Sequence, residues 1–181
     1  IRFQSVMWQA MLKSAEVPTT VSIVYHGFIN SAGQKMSKSL GNVIHPYDLV
    51  KRYGTDATRY ILLRHVHPFD DSDLTQERMD EYYTANLVNG LGNLTARIMK
   101  MAETHLEGPV EITGGFEIQG EYTKVVSEYN FMEAMDWIWK LVSFADETIT
   151  EQEPFRLVKS DKEGAVKIIE NLVVQLHRVS K

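Results

Sequence analysis

Apolar residues recur at helical spacing through most of the second half of the chain, and this periodicity constrains the fold more than any other feature. The periodic stretches cover about 79–101, 131–150 and 161–179. A repeat of 3.6 residues places the apolar side chains of each stretch on one face of a helix. Four glycines and a proline in residues 107–120 predict a loop, and Pro154 interrupts the second helix. This half of the chain is therefore predicted to form a small antiparallel helical bundle.

The preceding residues mix helix and strand patterns. The predicted elements are a helix over 3–15, a strand over 21–25, a hairpin turning at 30–33, a helix from Pro46 that Gly54 ends, and a further helix capped by Thr55 or Asp56. His45, before Pro46, is a poor capping residue. The polar, turn-rich stretch 68–73 predicts a boundary, which divides the chain into regions 1–72 and 73–181.

Charge differs between the two regions. Region 1–72 has 8 Lys and Arg against 5 Asp and Glu, whereas region 73–181 has 11 against 19. The net charge of −5 argues against indiscriminate nucleic-acid binding. Because the second region is itself net negative, any RNA contact that it makes requires a local site. With no cysteine, the chain has no disulfide and no Cys-ligated zinc. No apolar run reaches the ~20 residues of a membrane span. We expect a cytoplasmic protein, and a piece of a longer polypeptide because no initiator methionine is present.

The lysine–serine loop (residues 35–39, Lys-Met-Ser-Lys-Ser) carries the chemistry of the first region. Gly33 and Gly41 bound it and permit it to move. Lysine supplies a compact, mobile positive charge, and serine hydroxyls with free backbone amides add hydrogen-bond donors. These residue types suit a strongly anionic ligand.

This loop resembles the lysine–serine motif of class I aminoacyl-tRNA synthetases, and its flanks resemble the methionyl-tRNA synthetase family. The similar segments are His-Gly-Phe-Ile at 26–29, Gly-Asn-Val-Ile at 41–44, Tyr-Gly-Thr-Asp-Ala at 53–57 and Asn-Leu-Val-Asn-Gly-Leu-Gly-Asn-Leu at 86–94. The resemblance is specific from residue 1 to about 105 and looser beyond. It implies a mostly α chain: the C-terminal end of a Rossmann-type catalytic region with a stem-contact segment, then an α-helical anticodon-binding bundle.

The resemblance implies that the loop steadies the triphosphate of ATP, which is accompanied by Mg²⁺, while pyrophosphate leaves. A mobile ammonium group that meets this charge in the transition state lowers the barrier. Lys38 is the first candidate for this catalytic role and Lys35 the second. Ser37 and Ser39 either contact phosphate or only shape the loop. The family places the pair His26 and Gly27 beside the nucleotide, although ending a strand is an equally good interpretation.

The helix over 3–15 resembles the one that borders the methionine pocket in the family. Most members have Phe-His at its start, whereas this chain has Phe3-Gln4. Gln4 forms hydrogen bonds but does not change charge near neutral pH as histidine does. Trp8 is a candidate for the same pocket, although a large aromatic residue on an amphipathic helix more often packs in the hydrophobic core. The remaining histidines lack metal-ligand spacing and are predicted to be structural, and no metal site is predicted.

Asn93 and Arg97 stand four residues apart and therefore share one helix face. An amide and a guanidinium together can read base edges and stack on an unpaired base. In its context the pair resembles the anticodon-reading pair of the family. A Trp after Pro completes the family's set; here Pro154-Phe155 stands in its place, and Phe155 can still stack on a base. Trp139 is predicted to be core.

The leading hypothesis is a part of a methionine–tRNA ligase, with methionine, ATP and methionine-accepting tRNA as its partners and no membrane association. The chain lacks a His-Ile-Gly-His segment, so we expect it to be inactive alone. The alternatives are a non-catalytic tRNA-binding module, a diverged relative that no longer charges tRNA, and another class I synthetase of similar architecture.

Overall fold

The computed structural model of the chain describes residues 2–112 and 120–180, most of which are helical. Along the chain the elements are α1 (Arg2–Ser14), β1 (Ile29–Ser31), β2 (Gln34–Lys35), α2 (Pro46–Tyr53), α3 (Thr55–His65), β3 (Ser72–Asp73), α4 (Gln76–Tyr82), a π-helix (Tyr83–Gly92), α5 (Asn93–His105), α6 (Gly120–Ser127), α7 (Phe131–Gln152), α8 (Pro154–Leu157) and α9 (Lys162–Val179). The mostly helical character is as predicted. Within the described ranges, none of the helices combines the length and apolar character that crossing a membrane requires.

Strands β1, β2 and β3 form a small sheet with β1 in the centre. Antiparallel pairing of β1 with β2 leaves Ala32 and Gly33 as the turn, both with positive φ (53° and 71°). Two such residues are what a tight type I′ hairpin requires, so the predicted hairpin is confirmed. On its other side β1 pairs in parallel with β3, and the Leu74 amide donates to the Asn30 carbonyl at 2.9 Å.

Residues 21–28 contain no regular secondary structure, so the predicted strand over 21–25 is wrong. A strand needs a neighbour for its backbone donors and acceptors, and in the described residues the three-stranded sheet does not extend to this stretch. Val21 is fully exposed. The stretch instead lies along α1, where the Tyr25 and Ser5 hydroxyls are 2.6 Å apart. The β-branched residues of this stretch favour an extended backbone, but composition does not determine whether a neighbouring strand is present to pair with it.

A single residue joins α2 to α3. Pro46 begins α2 as predicted, and His45 precedes it without a side-chain capping hydrogen bond. Gly54, with φ of 83°, is both the C-cap of α2 and the N-cap of α3. The prediction that Thr55 or Asp56 caps α3 is therefore wrong. Because glycine adopts positive φ without strain, α2 ends at Gly54 and Thr55 is already the first residue of α3.

The predicted helix over 79–101 is present but not uniform. It begins at Gln76, and the Thr75 hydroxyl caps it by accepting a hydrogen bond from the Arg78 amide at 3.3 Å. After α4 it widens into the π-helix and then narrows into α5. A Cβ on Gly92 would lie 2.8 Å from the Leu87 carbonyl oxygen, so this turn suits glycine. Apolar periodicity did not predict the widening, since π segments have no distinct composition.

The last third of the chain follows the predicted helices, with one addition. Residues 106–112 are irregular, as expected for the predicted loop 107–120, while 113–119 lie outside the described residues. Gly120 begins the short helix α6, which the periodicity missed. Helix α7 ends before Pro154 as predicted. The Asp161 carboxylate caps α9 by accepting from the Gly164 amide at 2.9 Å.

Within the described residues, buried apolar side chains form two clusters. The first joins α5, α7 and α9 through Leu94, Ile98, Met101, Ala102, Val142, Ala145, Ile149, Ile169 and Leu172. The second contains Leu49, Tyr60, Ile61, Leu74 and Met79, with Trp139 packed against it. Trp139 is thus partly buried against the core, in agreement with its predicted core position. The division of the chain at 72/73 stays a prediction; the second cluster takes residues from both sides of it.

Candidate functional site

The lysine–serine loop connects β2 to α2 and is held by its own backbone and by Asn42. The Asn42 side chain accepts from the Ser37 amide at 2.8 Å and donates to the Lys35 carbonyl at 3.3 Å. The Ser37 and Ser39 hydroxyls are 2.7 Å apart and bond to each other. Both serines therefore shape the loop in this structure. Asn42 is a loop-holding residue that the sequence did not reveal.

The two lysines of the loop differ in their surroundings. Lys35 is the last residue of β2, and its ammonium nitrogen lies 4.5 Å from the centre of the Phe28 ring, a cation–π contact. Lys38 lies in the turn that follows, where its carbonyl accepts from the Gly41 amide at 3.3 Å. Its side chain is exposed. Gly41 has φ of 67°, a conformation that glycine adopts easily.

Gly27 lies against the segment that leads into β3, and His26, which precedes it, is exposed. A Cβ on Gly27 would overlap the Asp70 carbonyl group, so the close approach of the two backbones requires glycine. The neighbouring Phe28 amide donates to the Asp71 carboxylate at 2.7 Å, and the Ser72 amide donates to the Phe28 carbonyl at 2.8 Å. Gly27 therefore has a steric role in joining the start of the hairpin to β3.

The two candidates for the amino-acid pocket lie on α1. Gln4 and Trp8 are one turn apart, and both are exposed; Trp8 keeps 48% of its surface accessible. Trp8 belongs to neither buried cluster, so its interpretation as a core residue is wrong. Gln9, on the same helix, bonds to Thr20 through its side chain and so connects α1 to the stretch before β1.

The three candidate anticodon residues meet in one groove of about 1020 Å³, which we call the α5/α7 groove. Asn93 and Arg97 lie on α5. Phe155 lies on α8 and lines the groove from there, with 45% of its surface exposed. The other lining residues are Asn89, Gly90, Leu94, Ala96, Lys100, Met101, Trp139, Val142, Ser143, Asp146, Glu147 and Ile149. Side chains that are far apart in sequence thus line the same groove.

Charges in the α5/α7 groove are largely balanced. Arg97 donates to Asp146 of α7 at 2.6 Å. Lys100 donates to Glu103 at 2.8 Å, and this contact raises the pKa of Lys100 and lowers that of Glu103. Glu147 adds a further carboxylate to the lining. The groove therefore presents polar and aromatic groups without a strong positive field.

Sequence reasoning missed several lining residues for identifiable reasons. Lys100 lies one turn after Arg97, so helical spacing from Asn93 could have found it. Asn89 lies on the π-helix, where the spacing is not that of an α-helix. Asp146 is 49 residues from Arg97 along the chain, and only the packing of α7 against α5 brings it to the groove.

Trp139 connects the groove to α3. Its ring stacks on Tyr60, with centroids 4.8 Å apart, and the Arg64 guanidinium lies 4.4 Å from its centre. Desolvation by burial raises the pKa of Tyr60 to about 12. Nearby, desolvation lowers the pKa of His65 to about 4, and the charge of Arg64 lowers it further. His65 is thus a neutral structural histidine. Among the described residues, no group of three or more His, Asp or Glu is arranged to hold a metal ion.

Comparisons with known proteins agree on one family. The model of class I tRNA synthetases (M) matches residues 1–99. A methionine–tRNA ligase of Fusobacterium nucleatum is 36% identical over 177 residues, covering 91% of this chain and 28% of that protein. One of Synechocystis sp. is 32% identical over 197 residues, covering 99% and 36% respectively.

A solved structure matches the whole fold. The crystal structure of Mycobacterium tuberculosis methionyl-tRNA synthetase bound by methionyl-adenylate is similar with a TM-score of 0.81 and 29% identity. The match covers 99% of this chain and 38% of that one. The chain therefore spans about a third of the length of its relatives. On sequence and fold together, the chain belongs to the methionyl-tRNA synthetase family of class I aminoacyl-tRNA synthetases.

Proposed function

We propose that the chain is the part of a methionine–tRNA ligase that stabilises ATP during methionine activation and reads the anticodon of methionine tRNA. The observation that carries the proposal is the convergence of Asn93, Arg97 and Phe155 in the α5/α7 groove of a chain of this family. In this proposal region 1–72 ends the catalytic domain and region 73–181 is the anticodon-binding domain. The proposal includes a cytoplasmic location for this role.

The groove residues are suited to unpaired bases. Asn93 offers both a donor and an acceptor, and Arg97 offers a planar set of donors, so together they match base edges. The half-exposed ring of Phe155 provides a stacking surface, a contact worth about 1–3 kcal/mol per base. Because the net charge of region 73–181 is negative, such local contacts rather than a general field would select the RNA.

Lys38 is proposed to act on ATP. When the methionine carboxylate attacks the α-phosphorus, a new oxygen–phosphorus bond forms and the bond to the bridging oxygen breaks, so charge develops on the leaving pyrophosphate. The exposed Lys38 ammonium on its glycine-bounded turn can approach that charge as the loop closes. Lys35 would approach the same charge together with Lys38 once its ammonium group has left the Phe28 ring. Mg²⁺ would arrive on the triphosphate of ATP, where Mg²⁺ commonly binds.

The other candidates have supporting roles in the proposal. Gln4 and Trp8 would border the methionine pocket, where their exposure on α1 leaves them accessible. His26 would lie beside the nucleotide, with its ring nitrogen Nδ1 2.7 Å from the Gly27 carbonyl. The backbone approach at Gly27 would then set the position of the segment next to ATP.

The test of anticodon reading is binding of this chain to methionine tRNA and to the same tRNA with an altered anticodon, at about physiological salt. We expect a preference for the native anticodon in the wild type, and its loss in Arg97→Ala. Arg178→Ala, an exposed arginine near the end of α9, is the matched control and should keep the preference. Equal, weak and salt-sensitive binding of both RNAs by the wild type would contradict the proposal.

The alternative is a tRNA-binding module or diverged relative without catalysis, which Gln4 and Phe155 favour because both depart from the family pattern. ATP–pyrophosphate exchange separates the two. The 181-residue chain should show none by itself, since it contains no His-Ile-Gly-His segment. The natural full-length protein should show exchange that Lys38→Ala abolishes if the ligase proposal holds, and none if the alternative holds.

A further inference from the structure

Asp146 contacts the arginine that is proposed to read the RNA. Its carboxylate accepts a hydrogen bond of 2.6 Å from Nη1 of Arg97, and the two side chains are 54% and 46% exposed. The residues belong to α7 and α5, and both line the α5/α7 groove. The ion pair therefore spans the groove and ties Arg97 to the facing helix.

An unrestrained arginine would be a poor reader of bases. The side chain is long and flexible, and an exposed arginine samples many rotamers, which binding would have to restrict. A charge-assisted hydrogen bond of short length restricts the guanidinium beforehand. Among the described residues, Asp146 is the hydrogen-bond partner found for the Arg97 side chain, and it engages Nη1 alone. The donors on Nε and Nη2 remain available to a ligand.

The same contact weakens attraction to phosphate. Asp146 balances the charge of Arg97, Glu103 balances that of Lys100, and Glu147 adds another negative charge to the lining. A groove with this balance favours hydrogen bonding to a base edge over binding of the RNA backbone, which depends on uncompensated positive charge.

We propose that Asp146 is a positioning residue, which orients the Arg97 guanidinium toward an unpaired base and suppresses its attraction to phosphate. This inference rests on the proposed anticodon-reading function. Asp146 acts through Arg97 and is not itself proposed to contact the RNA.

The experiment compares wild type, Asp146→Ala, Asp146→Asn and Glu147→Gln of this chain. Each is titrated with the native methionine tRNA and with the altered-anticodon tRNA over a series of salt concentrations. Asp146→Ala should lower the anticodon preference about twofold to fivefold, as expected for loss of an exposed ion pair. Asp146→Asn keeps an oxygen acceptor but loses the charge, so it should keep most of the preference and strengthen binding of both RNAs. Glu147→Gln removes a neighbouring charge, so it should strengthen binding of both RNAs and keep the preference.

Three outcomes overturn the inference. They are an unchanged preference in Asp146→Ala, an equal loss in Asp146→Ala and Glu147→Gln, and a loss in Asp146→Asn as large as in Asp146→Ala. Circular dichroism confirms folding, and Asp146→Ser, which is too short to maintain the contact, replaces Asp146→Ala if that variant unfolds. A wild type without anticodon preference refutes the proposed function as well, whereas a wild type with a preference that Asp146→Ala leaves intact refutes this inference alone.

Discussion

His65 makes the stability of this protein depend on pH in a way that can be measured. Its ring stacks on Tyr82 with centroids 3.6 Å apart, and its Nε2 accepts a hydrogen bond from the Asn86 amide at 3.1 Å. These contacts join α3 to α4 and the π-helix. Burial, with a smaller effect of Arg64, lowers the pKa of His65 from 6.5 to about 4. Protonation would place a charge in a half-buried site and remove the acceptor that Asn86 uses.

The sign and size of the effect follow from linkage. Because the pKa of His65 is lower in the folded state than in the unfolded state, the folded state gains stability above the unfolded pKa of 6.5 and loses it as the pH falls toward about 4. The full pKa difference corresponds to about 3 kcal/mol. Solvent screening at this half-buried ring reduces the expected loss to about 1–2 kcal/mol.

Urea denaturation of the wild type and of His65→Phe, at about pH 7 and about pH 4.5, tests this reasoning. The variant keeps an aromatic ring against Tyr82 but cannot titrate. The wild type should lose about 1–2 kcal/mol more unfolding free energy than His65→Phe between the two pH values. His177→Phe controls for removal of a histidine elsewhere and should behave as the wild type. Equal losses in wild type and His65→Phe would refute the role assigned to this histidine.

Three further predictions concern single side chains. Phe155→Ala should weaken binding of methionine tRNA by about 1–3 kcal/mol in a fluorescence titration, while Phe155→Trp should not; an unaffected Phe155→Ala would exclude stacking. Gly27→Ala should lower the unfolding free energy by about 1–3 kcal/mol in urea, because its Cβ overlaps the Asp70 carbonyl. Gly108→Ala, in open space, is its control, and equal effects of the two would disprove the steric role. Asp161→Ala should cost about 1 kcal/mol by removing the cap of α9, with Asp161→Asn largely stable; a neutral Asp161→Ala would contradict this.

Much of the fold could be predicted because its elements depend on local rules. Helical periodicity located α1, α5, α7 and α9, and the Ala32-Gly33 turn followed from the short polar segment between two extended ones. The strand predicted over 21–25 was wrong because a strand depends on a neighbour that local sequence does not provide. The π-helix was missed since it changes the pitch of a helix while leaving its apolar composition unchanged.

The residues of the candidate site show the same difference between what local rules predict and what only packing decides. Asn93 and Arg97 could be paired from their spacing, because four residues bring side chains to one face of a helix. Phe155 was identified through the family pattern alone, and its position in the groove depends on how α8 follows α7. Asp146 could not be found from the sequence, since no local rule relates it to Arg97.

The sequence by itself determined the family, the helical character and the residue types of the lysine–serine loop, because each depends on motifs or periods contained in short segments. Tertiary structure decided that Asn93, Arg97 and Phe155 share one groove, that Asp146 forms an ion pair with Arg97, and that Gly27 allows two backbones to touch. These features depend on contacts between residues distant along the chain. Such contacts follow from the packing of whole helices around a common core, which no single segment specifies.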